Sequence, residues 1–418
     1  MEKKLKVLVS CYACSPYKGS EPGMGWNFIK GLSEFHELHI IVEQKKWEVE
    51  INKYLKENPN FKKNVTFYFI KKERNKKLRK IWPPSYYWFY KIWQKKAFEL
   101  AFELDDLENF DIIHQLNMVG FREPGYLWKL KKPFVWGPIG GMENTNWKLL
   151  LNLSFKEFVF YGLRNIFNTY QKSFLVRPKL AARNLTSKLI SATEKNKKDI
   201  KKYWGVDSII IPEVGMNDFN VQVVNIREEG EPLKIVWSGQ HTGGKALNIL
   251  LKSLVKLPED TLWKLDILGE GQMTTKWKKL ANGLGVQNNC NWYGWMDREK
   301  SIEIMKKAHV LCITSIKDLT STVTLEALSL GLPIIAIDHC GFSNVINSNC
   351  GIKIPISKPS KLQMLFSESI NMLYLKENYR QKLCKGALDR SKDFSWKKKV
   401  NKLNEIYYSL LNIDDNEK

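Results

Sequence analysis

The chain has 418 residues, enough for two domains with separate cores, and its 44% hydrophobic and 26% charged residues exclude a disordered chain. A net charge of +22 calls for an anionic partner, whether nucleic acid, a membrane surface or a polyanionic substrate. No run of about 18 apolar residues is expected to span a bilayer, no secretory leader is read, and seven scattered cysteines suit reduced thiols in a cytosol.

Residues 6–10 (KVLVS) read as a first strand. Cys11 and Cys14 form a C-x-x-C with no second pair, so no metal or redox role is expected of them. Residues 18–25 (KGSEPGMG) read as a glycine-rich turn, in which Gly19 and Gly23 would let backbone amides approach a ligand. A helix with Phe28, Ile29, Leu32 and Phe35 follows, then a strand at 38–42.

Residues 71–80 hold seven basic side chains and one acid, and an aromatic cluster from Trp82 to Trp93 follows directly. The stretch 71–104 has two open readings: a basic, aromatic segment resting on anionic lipid, or a core helix preceded by a solvated loop. Stacking on nucleic acid is not expected, because no binding motif accompanies it. Residues 110–116 (FDIIHQL) form another strand with His114 near its end, and Gly137, Gly140 and Gly141 suggest a second glycine loop. Residues 147–177 mix large apolar side chains with Lys and Arg, a second candidate for lipid contact.

Strands at 188–193 and 209–215 flank a basic helix, and the acidic, proline-containing 228–232 marks entry to a second domain. There the rhythm of strand, loop and helix repeats, first in LKIVWSGQHTGGKALNILLKSL, then at 262–272 and 290–297. The most informative stretch is 310–346. An apolar strand (310–313) leads to a polar turn and then to a helix opened by Ser321 and Thr322. Gly331-Leu332-Pro333 stops that helix before a strand at 334–337. In a doubly wound sheet, ligands bind beyond the carboxyl ends of the strands. Amides around Thr320, Ser321 and Thr322 would then receive phosphate oxygens, Glu326 a ribose diol, and Asp318 a sugar hydroxyl. Plain helix capping by the hydroxyls stays open as the alternative.

Asp318, Glu326, Ala327, Gly331, Leu332 and Pro333 together resemble the signature of the retaining nucleotide-sugar glycosyltransferases of family 4 (glycosyl transferases group 1). The resemblance runs over essentially the whole chain. It implies an α/β chain of the GT-B fold, two Rossmann-like doubly wound domains facing a cleft. Residues 1–215 would form the acceptor-side domain, 216–390 the nucleotide-sugar domain, and 391–418 a helix returning to the first. The same likeness puts Gly19, Ser20, Glu21 and Gly23 against the donor diphosphate and acceptor. It puts His114 near the reacting sugar, Gly239 and Lys245 at the diphosphate, and residues 293–296 beside the base. The implied reaction moves a sugar, with retention, from a nucleoside diphosphate sugar to a glycan or lipid-linked acceptor at the cytoplasmic face of an anionic membrane. Neither cofactor nor metal is implied, and nucleic acid is not a partner. Gln240 departs from the family's arginine, and residues 319–322 lack its glycines. Those departures leave a catalytically weak scaffold that binds nucleotide sugar as the alternative, with a nucleotide-sugar epimerase behind it.

Overall fold

In a computed structural model of the protein, residues 3–216 and 225–414 are described. The chain divides into two compact units: Met1–Glu143 with Tyr170–Gly215 and Trp396–Lys418 (unit 1), and Asn144–Thr169 with Met216–Ser395 (unit 2).

Unit 1 is built on a seven-stranded parallel sheet: β1 (Lys6–Cys11), β2 (Glu37–Glu43), β3 (Val65–Ile70), β4 (Ile112–Asn117), β5 (Phe134–Ile139), β6 (Ser187–Ser191) and β7 (Ser208–Ile210). Their order is β3-β2-β1-β4-β5-β6-β7. Unit 2 has six parallel strands: β8 (Leu233–Ser238), β9 (Trp263–Leu268), β10 (Cys290–Gly294), β11 (Val310–Ile313), β12 (Ile334–Ile337) and β13 (Gly351–Ile354). Their order, β10-β9-β8-β11-β12-β13, repeats the plan of unit 1. In each sheet the winding reverses beside the first strand, between β1 and β4 and between β8 and β11. The crevice beyond the strand ends at such a reversal is where doubly wound sheets hold ligands.

The central strands are buried on both faces, as all six residues of β4 and β5 and all four of β11 and β12 show. That is why β11 and β12 read as continuous apolar runs rather than alternating ones. The last helix, Trp396–Asp414, belongs to unit 1, where Val400, Leu403, Tyr407 and Leu410 join the core with Phe28 and Leu32. Gly31 is required by this helix, since a Cβ there would collide with Val400.

Several local readings change. The glycine-rich turn is largely helix: Ser20–Leu32 is continuous and contains Gly23 and Gly25. These glycines admit close backbone contacts, for a Cβ at Gly25 would lie 2.5 Å from Cys11 Sγ, and one at Gly23 would strike the Lys18 carbonyl oxygen. Gly137 lies inside β5, not in a loop, with φ +143 and no room for a Cβ against Ile190. The helix Ser85–Glu108 buries Tyr90, Trp93, Ala97, Ala101 and Leu104, which settles the core reading for that stripe. Ile81, Trp82, Tyr87 and Trp88 stay exposed. Residues 144–169 group with unit 2, whereas the boundary read from sequence kept them in the first domain. Leu149 and Leu150 lie in the core of unit 2, and Asn248 Nδ2 donates to the Asn152 carbonyl at 2.9 Å.

Candidate functional site

The reversal point of unit 2 gathers most of the residues that the sequence singled out. The loop after β8 carries Gly239, Gln240 and Lys245, and the loop after β11 carries Asp318 and Thr320. Backbone contacts lock the two loops together. Ile316 N donates to the Gly244 carbonyl at 2.8 Å, and Thr314 Oγ1 donates to the Lys245 carbonyl at 2.8 Å. Trp237 Nε1 in turn donates to Thr314 Oγ1 at 3.0 Å. Gly243 and Gly244 are glycines for a local reason: side chains there would collide with Glu157 and Tyr161 on the helix Phe155–Phe174.

Lys245 and Asp318 meet across these loops, Nζ to Oδ2 at 2.5 Å, with each side chain about one-fifth exposed. The aliphatic part of Lys245 runs beside Gly239, where a Cβ would stand 3.6 Å from its Cδ and Cε. Asp318 also accepts from the Leu319 amide at 3.0 Å, so its carboxylate is fixed at both oxygens.

Beside Gly239 opens a cavity of about 520 Å³, whose walls are Ser238–Gln240, Leu268–Gly271, Trp295, Met296 and Ser301. Its floor is two loops pressed together. Gly239 N donates to the Leu268 carbonyl at 3.1 Å, and His241 N to the Glu270 carbonyl at 3.0 Å. Gly269, at φ +105, leaves no room for a Cβ against the Gly239 carbonyl oxygen. Such a backbone favours glycine, and it lets main-chain groups line the cavity. His241 braces this floor from beneath, hydrogen-bonded to Thr274 Oγ1 at 2.7 Å and packed edge-on against Trp237. Burial holds its imidazole down to about 4, so it is neutral near pH 7.

The helix Thr322–Ser329 starts with Ser321 at its cap position, and that cap makes no side-chain hydrogen bond. Hydroxyl capping, one of the two open readings, is therefore not the role of Ser321. Gly331, at φ +66 just past the helix, is the left-handed stop expected from Gly-Leu-Pro. Thr320 is buried, packed against Gly341 where no Cβ would fit. Glu326 projects from this helix toward the helix Arg298–Lys306 and accepts from Arg298 Nε at 2.6 Å. Arg298 follows Trp295 and Met296 by two or three residues, so Glu326 is tied to the segment that walls the cavity. Sequence reasoning had put the 293–296 loop there but missed Gly269, Glu270, Gly271, Ser301 and Arg298. The two glycines on either side of Glu270, at a strand end, were the available signal.

In unit 1 the expected residues behave differently. Glu21 is drawn under the β4 exit, where it accepts from the Val119 amide at 2.5 Å, and burial raises its carboxyl above the usual range. Gly19, at the helix cap, and Ser20, its first residue, stay exposed, with Ser20 at φ +55. His114 requires a correction. It is fully buried, with Nδ1 2.7 Å from the Tyr407 hydroxyl and Nε2 3.0 Å from the Gly137 carbonyl. Nε2 donates to that carbonyl, which leaves Nδ1 to accept from Tyr407. Burial depresses the imidazole to about 4. Both nitrogens are used to join β4, β5 and the last helix, so His114 does not face an acceptor.

Among known proteins, the description "Glycosyl transferases group 1" fits residues 219–390. The chain is 26% identical over 184 residues to lipopolysaccharide glucosyltransferase WaaG of Escherichia coli, a stretch covering 40% of this chain and 49% of WaaG. The chain thus spans about half the length of that relative. By structure it is similar to sucrose-phosphate synthase from Thermosynechococcus elongatus, with a TM-score of 0.66 and 12% identity over 98% of this chain and 100% of that one. It is also similar to Anabaena Alr3699/HepE in complex with UDP-glucose, with a TM-score of 0.60 and 13% identity over 97% of this chain and 100% of that one. Two sheets that share a strand order, a cavity over the ends of β8, β9 and β10, and the match over 219–390 lead to one conclusion: residues 219–390 match the glycosyl transferases group 1 family, and the fold of the chain is GT-B.

Proposed function

We propose that the protein is a retaining glycosyltransferase that moves a sugar from a nucleoside diphosphate sugar to an acceptor hydroxyl in cell-surface polysaccharide or lipopolysaccharide assembly. The observation that carries this reading is the Lys245–Asp318 pair at the winding reversal of unit 2, next to a cavity over the ends of β8, β9 and β10. A diphosphate entering there draws on the Lys245 ammonium and on main-chain amides of the surrounding loops, while Asp318 turns to a hydroxyl of the sugar. Glu326 accepts from the ribose diol, exchanging its bond to Arg298 for those hydroxyls. Gln240 hydrogen-bonds phosphate without offsetting its charge, so Lys245 is the chief cation of the loop after β8. The acceptor oxygen bonds to the anomeric carbon on the face from which the diphosphate departs, and its proton passes to a leaving phosphate oxygen. The donor class is supported by the UDP-glucose complex of HepE, and the assembly role by the WaaG relative.

Membrane contact forms part of the same proposal. No helix among the described residues is long and apolar enough to cross a membrane. The helix Phe155–Phe174, however, exposes Phe155, Val159, Phe160, Leu163, Ile166 and Phe167. At 100° per residue these fall within an arc of about 140°. An apolar arc of that kind on a chain of net charge +22 suits the boundary of an anionic bilayer.

A thermal-shift panel of nucleoside diphosphates and their sugars tests the donor site, because a ligand at about 100 times its Kd stabilises by about 2.7 kcal/mol. One base should stand out. Turnover of the responding nucleotide sugar then separates the enzyme from a scaffold that only binds it. A panel without any response would refute the donor site.

A further inference from the structure

A second cavity, of about 140 Å³, lies in unit 1 between the exit of β3 and the start of the helix Ser85–Glu108. It is several water volumes in size, room for a phosphoryl group rather than a nucleotide. Lys46, Lys72, Arg74, Lys76 and Arg79 line it together with Ser85 and Tyr86.

The acids nearby are already committed. Glu43 pairs with Arg74 at 2.9 Å, and Glu73 with Lys96 at 3.0 Å. Lys46, Lys72, Lys76 and Arg79 have no carboxylate partner among the described residues. Lys72 is the telling member. It is 3% exposed, yet its ammonium has no hydrogen-bond acceptor and rests 3.5 Å from the centre of the Tyr86 ring. Arg79 stands over the same ring at 5.4 Å. Ser85, fully buried, also has a hydroxyl without a partner. Burial first, and then Arg74 with the other cations, push Lys72 down to about 7. Five cations against two acids that are already paired leave an excess of positive charge, which is costly, and a buried ammonium without an acceptor adds to that cost. A small dianion would remove both penalties at once, with the arginine supplying a planar fork and the hydroxyl a further donor.

We propose that this cavity is a phosphoryl-binding site, which takes either a phosphate monoester from solution or the phosphate of a lipid headgroup. The inference stands apart from sugar transfer, since it uses none of the residues of the donor site.

The test uses the full-length chain at low salt with two probes: inorganic phosphate in equilibrium dialysis, and phosphatidylcholine vesicles with and without phosphatidate in sedimentation. Phosphate should bind saturably, and Arg79→Gln, on the exposed side, should weaken it by about tenfold or more. Lys72→Met should do the same and Lys72→Arg should retain binding, while Lys201→Ser, an exposed lysine elsewhere in unit 1, should change nothing. Binding of phosphatidate vesicles alone, with that same pattern among the variants, would assign the site to a headgroup. Failure of both probes, or equal weakening by Lys201→Ser and Arg79→Gln, would overturn the proposal.

Discussion

Lys245 Nζ lies 2.5 Å from Asp318 Oδ2, joining the loop after β8 to the loop after β11 at the point where the sheet of unit 2 reverses. A double-mutant cycle of Lys245→Ala and Asp318→Ala, read by denaturant unfolding, should give a coupling of about 1 kcal/mol, within the range for residues in contact. Additive effects would mean that the pair does not hold the loops together.

Gln240 sits in the wall of the larger cavity, where the family has arginine. Gln240→Arg adds a cation beside the proposed diphosphate position. Titration calorimetry should find the responding nucleoside diphosphate bound about tenfold more tightly, or about 1.4 kcal/mol. An unchanged Kd would place the phosphates away from residue 240.

Gly269 should tolerate no side chain. Gly269→Ala places a Cβ against the Gly239 carbonyl at a φ of +105, and the resulting strain should destabilise unit 2 by about 2 kcal/mol or more. Thermal melting checks this, and loss of nucleotide response should accompany it. A neutral Gly269→Ala would show that the two loops can separate freely.

His114, His241 and His309 are buried, and each is held down to about 4, by burial in every case and for His309 also by Arg380. Their unfolded value is about 6.5, so between the two values the unfolded chain binds more protons. The stability they provide is complete above the unfolded value and is lost as pH falls toward 4. Melting temperature should therefore drop between about pH 7 and about pH 5. A melting temperature that is level across this window would contradict the neutral, buried assignment.

Much of this was legible before the coordinates. The stretch 310–346 declared itself because an apolar strand, a hydroxyl-rich helix start and a Gly-Leu-Pro stop follow one another at the spacing of a strand–helix–strand unit. Others were silent. Every residue of β4 is buried, so no alternation marks the face that His114 occupies, and only the distant Tyr407 reveals it. Gly23 and Gly25 look like a turn by composition, yet they lie in a helix, and glycine is needed there because the Lys18 carbonyl and Cys11 Sγ press close to the backbone. The grouping of 144–169 with unit 2 depends on contacts with residues about a hundred positions away, such as Asn152 with Asn248, which no local pattern encodes. At the site the strand-end loops could be read, but the partner of Glu326 could not, because Arg298 on a neighbouring helix carries no motif of its own.

The apolar arc of the helix Phe155–Phe174 gives a separate test. Phe160→Glu with Phe167→Glu should reduce sedimentation with anionic vesicles by about tenfold while leaving the melting temperature nearly unchanged, since both side chains are largely exposed. Undiminished sedimentation would remove that helix from the membrane proposal.

The central claim is that Lys245 and Glu326 hold the donor, and the most direct measurement is transfer and donor hydrolysis by Lys245→Ala and Glu326→Ala with the nucleotide sugar that stabilises the native chain. Each variant should stay folded and lose about a hundredfold or more in kcat/KM, about 2.7 kcal/mol of transition-state stabilisation. Folded variants that turn over the donor at the native rate would contradict the account.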